Sequence, residues 1–456
     1  MPEDSPPQPI ADALVLSLTR GMSLARWERL GLLEREWALY QHLAEAYPRY
    51  ALLSYGDPDE EAALATRLTP SPAVICAPDA PDAPLRVARS LEGARSAVVK
   101  TNQMEGVGPA IRVAKFLRAA GLRTALIARG GYLRSRFAAD QSGAGSKQAA
   151  DAAAEEHALC TAADVIIGTT PDMTHALGWR YGVGFERTFV VPNFVLAEGS
   201  TRCAHERDPV VLYAGQLVKR KRVDLLIRAM ARLSRESADR LTLSIIGEGP
   251  DEPALRALAA ELGVRATFEP RLGHGVVLDR MRRAAFYAQA STLEGHPKTV
   301  IEAMACGAAV IVTDSPGMGE VITHGVTGLR VEPSEGGLAD AIDLLLNDEA
   351  WREQLGHAAA HVAQEKFGLA RIVPLEMAAH RTAMETAGSR APADPSVRWD
   401  PSLPDAGPAA AEAWARALTA FARRLASDDL QPMLERLERT TREMREQLAG
   451  SKRAST

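Results

Sequence analysis

The sequence predicts an α/β protein of two doubly wound parallel sheets, followed by a helical tail. Three observations carry this. Apolar runs of strand length alternate with helical stretches through the first half, and a second series of the same kind restarts at Val210–Ala214. A proline-rich stretch, Ala391–Pro408, then sets off a final helical segment. Parallel neighbours need a crossover connection, so strict alternation places helices on both faces of each sheet, in two Rossmann-like domains.

In chain order, Ala13–Leu18 reads as a buried strand, Thr19–Ser23 as a turn and Leu24–Ala46 as one helix. Strands follow at Tyr50–Tyr55, Ala73–Ala77, Ala97–Thr101, Thr124–Ala128, Asp164–Gly168 and Thr188–Val191, with helices at Pro109–Ala120 and Lys147–Thr161. In the second series, strands at Leu243–Ile246, Ala266–Glu269, Phe286–Ala288, Ala309–Val312 and Leu329–Val331 alternate with helices. Those helices are Arg222–Arg235, Glu252–Leu262, Val276–Arg283 and Gly337–Leu346. The expected division is residues 1–195, residues 196–385, and a linker with helical tail at 386–456. In the tail, Leu430, Leu434, Leu437, Thr441, Met444 and Leu448 form a heptad seam. Three placements stay open for it: packing onto the body, a homodimer through these helices, or a peripheral membrane contact through Trp414, Phe421, Arg423 and Arg424.

At 456 residues and 46% hydrophobic, the chain can bury two cores of ordinary size. A net charge of -5 argues against nonspecific nucleic-acid binding, which needs a positive footprint. The four cysteines, Cys76, Cys160, Cys203 and Cys306, form no C-x-x-C pair and no zinc spacing, as expected in a reducing compartment. The start carries no basic and apolar leader, and no apolar run reaches membrane-spanning length. A cytoplasmic protein is expected, with the inner membrane face as an option through the tail.

The densest chemistry lies in Glu294–Gly307, which reads E-G-H-P-K-T-V-I-E-A-M-A-C-G. Pro297 suits a first helical turn, and Thr299–Cys306 contains no breaker. Backbone N–H groups from Gly295 to Thr299, including those of His296 and Lys298, would point out of the helix start at an anion, with the Lys298 ammonium beside them. Glu294 falls before the helix and Glu302 about a turn inside it, so the two carboxylates would flank one elongated ligand. Carboxylates repel phosphate but accept hydrogen bonds from hydroxyls, so a ligand with both phosphates and sugar hydroxyls fits. The plain alternative is a core helix with two solvated glutamates.

This wording, E-G-x-P and then E-A-M-A-x-G followed by Ala309–Asp314, resembles the E-x7-E signature of the family 4 glycosyltransferases. Those are retaining enzymes of the GT-B fold, in which two Rossmann-like domains face each other across a cleft. The resemblance is strong from Val210 to Pro333 and architectural from Ala13 to Val195. Val191–Val195 resembles the P-N-x-V segment that enters the second domain, though a Pro-Asn turn after a strand would look the same.

In open parallel sheets ligands bind beyond the carboxyl ends of the strands, so the loops of the second domain are the place to look. Gly215–Leu226 resembles the family's G-R-L-x-x-x-K-G motif, whose Arg and Lys grip the donor diphosphate. Lys221 takes the Lys position, Gln216 stands where the family has Arg, and Arg222 where it has Gly. Lys219 and Arg220 also suit a solvated basic helix start. Gly247 and Gly249, in Gly247–Pro250, resemble the G-x-G-P turn that lets the backbone approach the nucleotide. Arg271 lies where the family receives the base, and His274 beside it reads as a solvated loop histidine. In the first domain, Thr19–Ser23 with Arg20, Lys100–Gln103 with Lys100 and Asn102, and Arg129–Tyr132 with Arg129 fall at predicted strand ends facing the cleft. They are the candidate acceptor contacts. The strand ending Ala128–Arg129 lacks the His that many members carry there. Asp57-Pro58-Asp59 matches the D-x-D metal pattern of another glycosyltransferase fold, but its acidic loop explains it and no metal site is expected.

The resemblance implies transfer of a sugar from a nucleoside-diphosphate sugar, as co-substrate, to an acceptor hydroxyl with retention and without bound metal or cofactor. It also makes a glycan, lipid-linked or small-molecule acceptor the expected partner, in glycan or polysaccharide biosynthesis. Glu302 would hold the ribose hydroxyls, Glu294 a hydroxyl of the donor sugar, and Lys221 with Lys298 the leaving charge. Two other readings remain: a related GT-B enzyme of phosphorolysis or nucleotide-sugar interconversion, and a catalytically weak scaffold that binds nucleotide or glycan. Gln216 and the missing strand-end His favour the scaffold, while the glutamate pair and Lys221 oppose it.

Overall fold

The computed structural model describes residues 9–196 and 207–387. The first sheet contains β1 (Ala13–Ser17), β2 (Arg49–Ser54), β3 (Ala73–Cys76), β4 (Ser96–Thr101), β5 (Arg123–Gly130), β6 (Val165–Gly168) and β7 (Thr188–Val190). Its order is β3-β2-β1-β4-β5-β6-β7. The second contains β8 (Asp208–Ala214), β9 (Thr242–Ile246), β10 (Ala266–Glu269), β11 (Ala284–Gln289), β12 (Ala309–Thr313) and β13 (Leu329–Val331), in the order β10-β9-β8-β11-β12-β13. All pairings between these strands are parallel. In each sheet the strand order reverses beside the first strand, at β1/β4 and at β8/β11, and such switch points open a crevice at the strand ends.

Successive side chains of a strand point to opposite faces, and here both faces are apolar. Leu14, Leu16, Val98, Ile127 and Ile167 enter one core, whereas Ala13, Val15, Val99, Leu126 and Ile166 enter the other. The second sheet divides in the same way. Val211, Tyr213, Leu243, Ile245 and Ile311 face one layer, and Leu212, Ala214, Ile246, Val310 and Val312 the other. This double burial is why the strands read as continuous apolar runs.

Two expectations about helices are corrected. Leu24–Ala46 is not one helix: it breaks after Leu24–Arg29 and resumes as Leu33–His42. Gly31, at the break, adopts φ 64°, a region that favours glycine. A Cβ there would stand 2.9 Å from the Gly273 Cα, so the break is also where the two domains touch. The second correction concerns Leu369–Thr386, expected within the second domain. Its Ile372, Ala379, Ala383 and Met384 join the core of the first sheet. The chain thus crosses between domains twice, and the crossings meet where the Val195 N–H donates to the Phe367 carbonyl at 2.9 Å.

The linker Ala391–Pro408, the seam from Leu430 to Leu448, Cys203 and most of the interdomain joint lie outside the described residues. Cys76, Cys160 and Cys306 are buried free thiols. Among the described residues, no helix is long and apolar enough to cross a membrane.

Candidate functional site

A cavity of about 770 Å³ lies between the two sheets at their strand ends. From the second domain it is lined by Gly215, Gln216, Lys221, Gly247, Arg271, Glu294, Gly295, His296, Pro297, Lys298 and Glu302. The loops after four strands therefore converge there, as the switch point at β8/β11 requires. Gly247 and Gly249 owe their identity to backbone contact: a Cβ on Gly247, at φ 144°, would collide with the Gly215 carbonyl, and one on Gly249 with the Leu217 carbonyl. Gly249 does not line the cavity; it was expected to approach a nucleotide, but it packs the two loops together instead.

The helix after the loop spans Lys298–Ala305, with Pro297 as its N-cap rather than in its first turn. Its first intrahelical bond runs from the Ile301 N–H to the Pro297 carbonyl at 3.2 Å, so the N–H groups of Lys298, Thr299 and Val300 precede the helical ladder. Val300, Ile301, Ala303 and Met304 bury its other sides.

Glu302 is only 2% exposed. Its Oε1 accepts from Arg35 Nη1 at 3.0 Å and lies 3.0 Å from His274 Nε2. Burial works against the charge, but Arg35 and then His274 hold the carboxyl below its ordinary pKa. Glu36, next to Arg35, accepts from the Lys298 ammonium at 2.6 Å. Despite burial, Lys298 and Arg35 bring Glu36 down to about 2. Lys298 was expected to face an anionic ligand; in this arrangement its partner is a carboxylate from the opposite domain.

Glu294 is held just as firmly. Its Oε1 accepts from Lys221 Nζ at 2.5 Å, Arg220 Nη1 at 2.9 Å and Gln289 Nε2 at 3.0 Å. Burial opposes its charge, yet Lys221 and Arg220 lower its pKa. The same burial pulls Lys221 down, against the pull of Glu294. Arg220 and His274, both consistent in the sequence with solvated positions, are therefore tied to the two glutamates. His296 is buried, and its Nδ1 accepts the Asn193 N–H at 3.2 Å while Asn193 Nδ2 donates to the His296 carbonyl at 2.8 Å. Burial, with Arg129 and Lys298 nearby, depresses the imidazole to about 3, so the ring is neutral and its proton sits on Nε2. The Pro-Asn segment thus fastens the glutamate loop.

The first-domain candidates divide differently. Arg20, Lys100, Asn102 and Arg129 do not line the cavity. Lys100 is fully buried, paired with Glu376, which lies 3.2 Å from His380 Nε2; the Tyr47 hydroxyl is 2.6 Å from His380 Nδ1. It fastens the returning helix Leu369–Thr386 rather than facing the cleft. Arg20 pairs with Glu155 at 3.3 Å, and the Asn102 N–H donates to the Ser17 carbonyl at 2.9 Å. Arg129 is buried, 7% exposed. From the candidate segments, Gln103, Gly131 and Tyr132 do reach the cavity, joined by Arg35, Arg134, Phe137, Gln141, Gln148 and Asp151. No sequence signal marked Arg35 or Glu36, because their partners lie 267 and 262 residues away. Asp57, in the D-x-D match, caps the helix Pro58–Ala65 through the Asp59 and Glu60 N–H groups. Among the described residues, no three His, Cys, Asp or Glu side chains cluster as metal ligands would.

Residues 202–362 match the family of glycosyl transferases group 1. The D-inositol 3-phosphate glycosyltransferase of Kribbella flavida is 34% identical over 253 residues, covering 51% of this chain and 59% of that protein. The protein of the same name from Nocardia farcinica is 31% identical over 228 residues, covering 46% of this chain and 51% of that protein. The chain thus spans little more than half the length of these curated relatives. Sucrose-phosphate synthase from Thermosynechococcus elongatus superposes with a TM-score of 0.63 at 20% identity, over 82% of this chain and 100% of that one. Anabaena HepE in complex with UDP and glucose gives 0.60 at 18% identity, over 80% and 98%. The two-domain architecture is the GT-B fold.

Proposed function

We propose that the chain is a retaining glycosyltransferase that moves a sugar from a nucleoside diphosphate to an acceptor hydroxyl without a bound metal. The observation that carries this reading is the convergence of Lys221, Glu294, Glu302 and the Lys298 helix start on one cavity. Glu302 would receive the ribose diol on Oε2, since Arg35 and His274 bond to Oε1. Glu294 would orient a hydroxyl of the donor sugar with its remaining lone pairs. Lys221 and the N–H groups of Lys298 and Thr299 would take the diphosphate charge that develops as the anomeric C–O bond breaks. The acceptor oxygen would bond to the anomeric carbon from the same face, and its proton would pass to the departing phosphate oxygen. Neither glutamate acts as a nucleophile in this scheme.

Calorimetric titration of UDP, GDP and ADP, with and without a chelator, tests the reading on wild type and Glu302→Ala. One diphosphate should bind regardless of chelator and lose roughly 1.5–3 kcal/mol in the variant. Binding of none of the three would remove the donor-site assignment. The scaffold reading draws on Gln216 and on the pairing of Lys221 and Lys298 with carboxylates. Donor hydrolysis in the absence of acceptor would exclude it.

A further inference from the structure

Resting on the transferase reading, we infer that the acceptor is an uncharged polyhydroxylated molecule, a glycoside or polyol without phosphate. The first-domain wall of the cavity presents Gln103, Tyr132, Gln141, Gln148 and Asp151. Gln103 Oε1 accepts the Gly131 N–H at 2.7 Å, an amide orientation that leaves its NH₂ for a ligand. Burial raises the Tyr132 pKa, so its hydroxyl stays neutral and can both donate and accept. The Tyr132 ring stands 4.6 Å from Phe137, which carries the Arg220 guanidinium 4.9 Å from its ring centroid, and adds an apolar surface suited to the C–H face of a sugar. Amide donors, a hydroxyl and a carboxylate match the mixed donor and acceptor character of sugar hydroxyls.

What would hold a phosphate is already committed. Among the described residues, the cations on this wall are Arg35 and Arg134. Arg35 is paired with Glu36 at 2.9 Å and Glu302 at 3.0 Å. Arg134 is paired with Glu155 and, at 3.4 Å, with Glu105. The start of the helix Arg134–Ser142, which could offer N–H groups to an anion, is taken by Glu156, whose carboxylate accepts the Ser135 N–H at 3.0 Å and the Ser135 hydroxyl at 2.7 Å. A phosphate here would have to displace a carboxylate, and the exposed Lys147 is itself paired with Asp151 at 2.6 Å. The curated relatives named above carry an inositol phosphate in their names; this wall is built for a neutral counterpart.

The test offers the full chain, with the nucleotide sugar whose diphosphate it binds, matched acceptor pairs. These are myo-inositol with D-inositol 3-phosphate, and methyl glucoside, maltose and cellobiose with their phosphorylated counterparts. Products are read by mass. The neutral members should show at least tenfold higher kcat/KM, and Gln148→Arg, which adds a cation, should raise the phosphorylated-to-neutral ratio at least tenfold. Transfer mainly to the phosphorylated members overturns the acceptor class while leaving the transferase reading intact. Donor hydrolysis with no transfer to a neutral acceptor also counts against it, as does an unchanged ratio in Gln148→Arg. If no nucleoside diphosphate binds at all, it is the transferase reading that falls.

Discussion

Arg35 and Glu302 meet at 3.0 Å across the cleft, with side-chain exposures of 12% and 3%. They are 267 residues apart and belong to different domains. Beside them Glu36 and Lys298 repeat the arrangement with the charges exchanged between domains. Arg35, Lys298 and Glu302 all line the cavity. The two pairs also keep a carboxylate ionised inside a helix otherwise buried among apolar side chains.

Removing Arg35 should therefore cost more than a surface ion pair. Arg35→Ala leaves Glu302 with His274 alone, and breaking a buried pair destabilises by roughly 3–5 kcal/mol. Urea unfolding should show this loss, and Arg35→Ala/Glu302→Gln should recover part of it. If the double variant is as unstable as the sum of the single ones, the two residues are not coupled.

Lys221 predicts a kinetic signature. If it stabilises leaving charge, Lys221→Ala should lower kcat by roughly 10²–10³-fold with little change in KM. A rise in KM at constant kcat would assign it instead to ground-state binding. Because Glu294 then loses its ammonium partner and keeps Arg220, Gln289 and Ser291, its pKa should also rise, seen as a shift in the acid limb of the rate profile.

His296 gives a pH prediction. Its folded pKa, about 3, lies below the ordinary value, so the unfolded chain takes up the proton first as pH falls. The contribution of the neutral ring is complete above about pH 6.5 and is lost between there and about 3, reaching roughly 2 kcal/mol by pH 5. Unfolding of wild type and His296→Gln from pH 7 to 4 should show the wild type falling more steeply. Parallel curves would mean that the ring is protonated in the folded state.

Gln216, exposed at the cavity mouth, stands where the resembled motif has arginine. Gln216→Arg should tighten diphosphate binding by about 1 kcal/mol, less than the roughly 4 kcal/mol of two unit charges 4 Å apart at a dielectric of 20, because the site is open to water. Calorimetry decides it: an unchanged affinity would indicate that Arg220 already supplies the missing charge.

The two parallel sheets, most of their strands, and the segments carrying Gly215, Lys221, Gly247, Glu294 and Glu302 were legible in the sequence, whereas the order of the strands was not. Each legible feature rests on local pattern: apolar runs of strand length, glycine in the turns after strands, and one glutamate before a helix start with a second about a turn inside it. The first-domain wall was legible only in part. Lys100 and Arg129 follow apolar runs as Gln103 and Tyr132 do, and strand ends alone do not say which side chains turn into the core and which toward the cleft.

What the sequence by itself determined is therefore the two sheets and the residue types on the loops at their strand ends, because hydrophobic period and turn residues act over a few positions; the return of Leu369–Thr386 to the first domain lay beyond that range. What only the tertiary structure decided is how the charges are partnered: Arg35 with Glu302, Glu36 with Lys298, Lys100 with Glu376 and Arg220 with Glu294. A charge is stabilised by whatever stands within a few ångströms of it once water is excluded. In this chain those neighbours come from distant elements, and in two of the four pairs from the opposite domain.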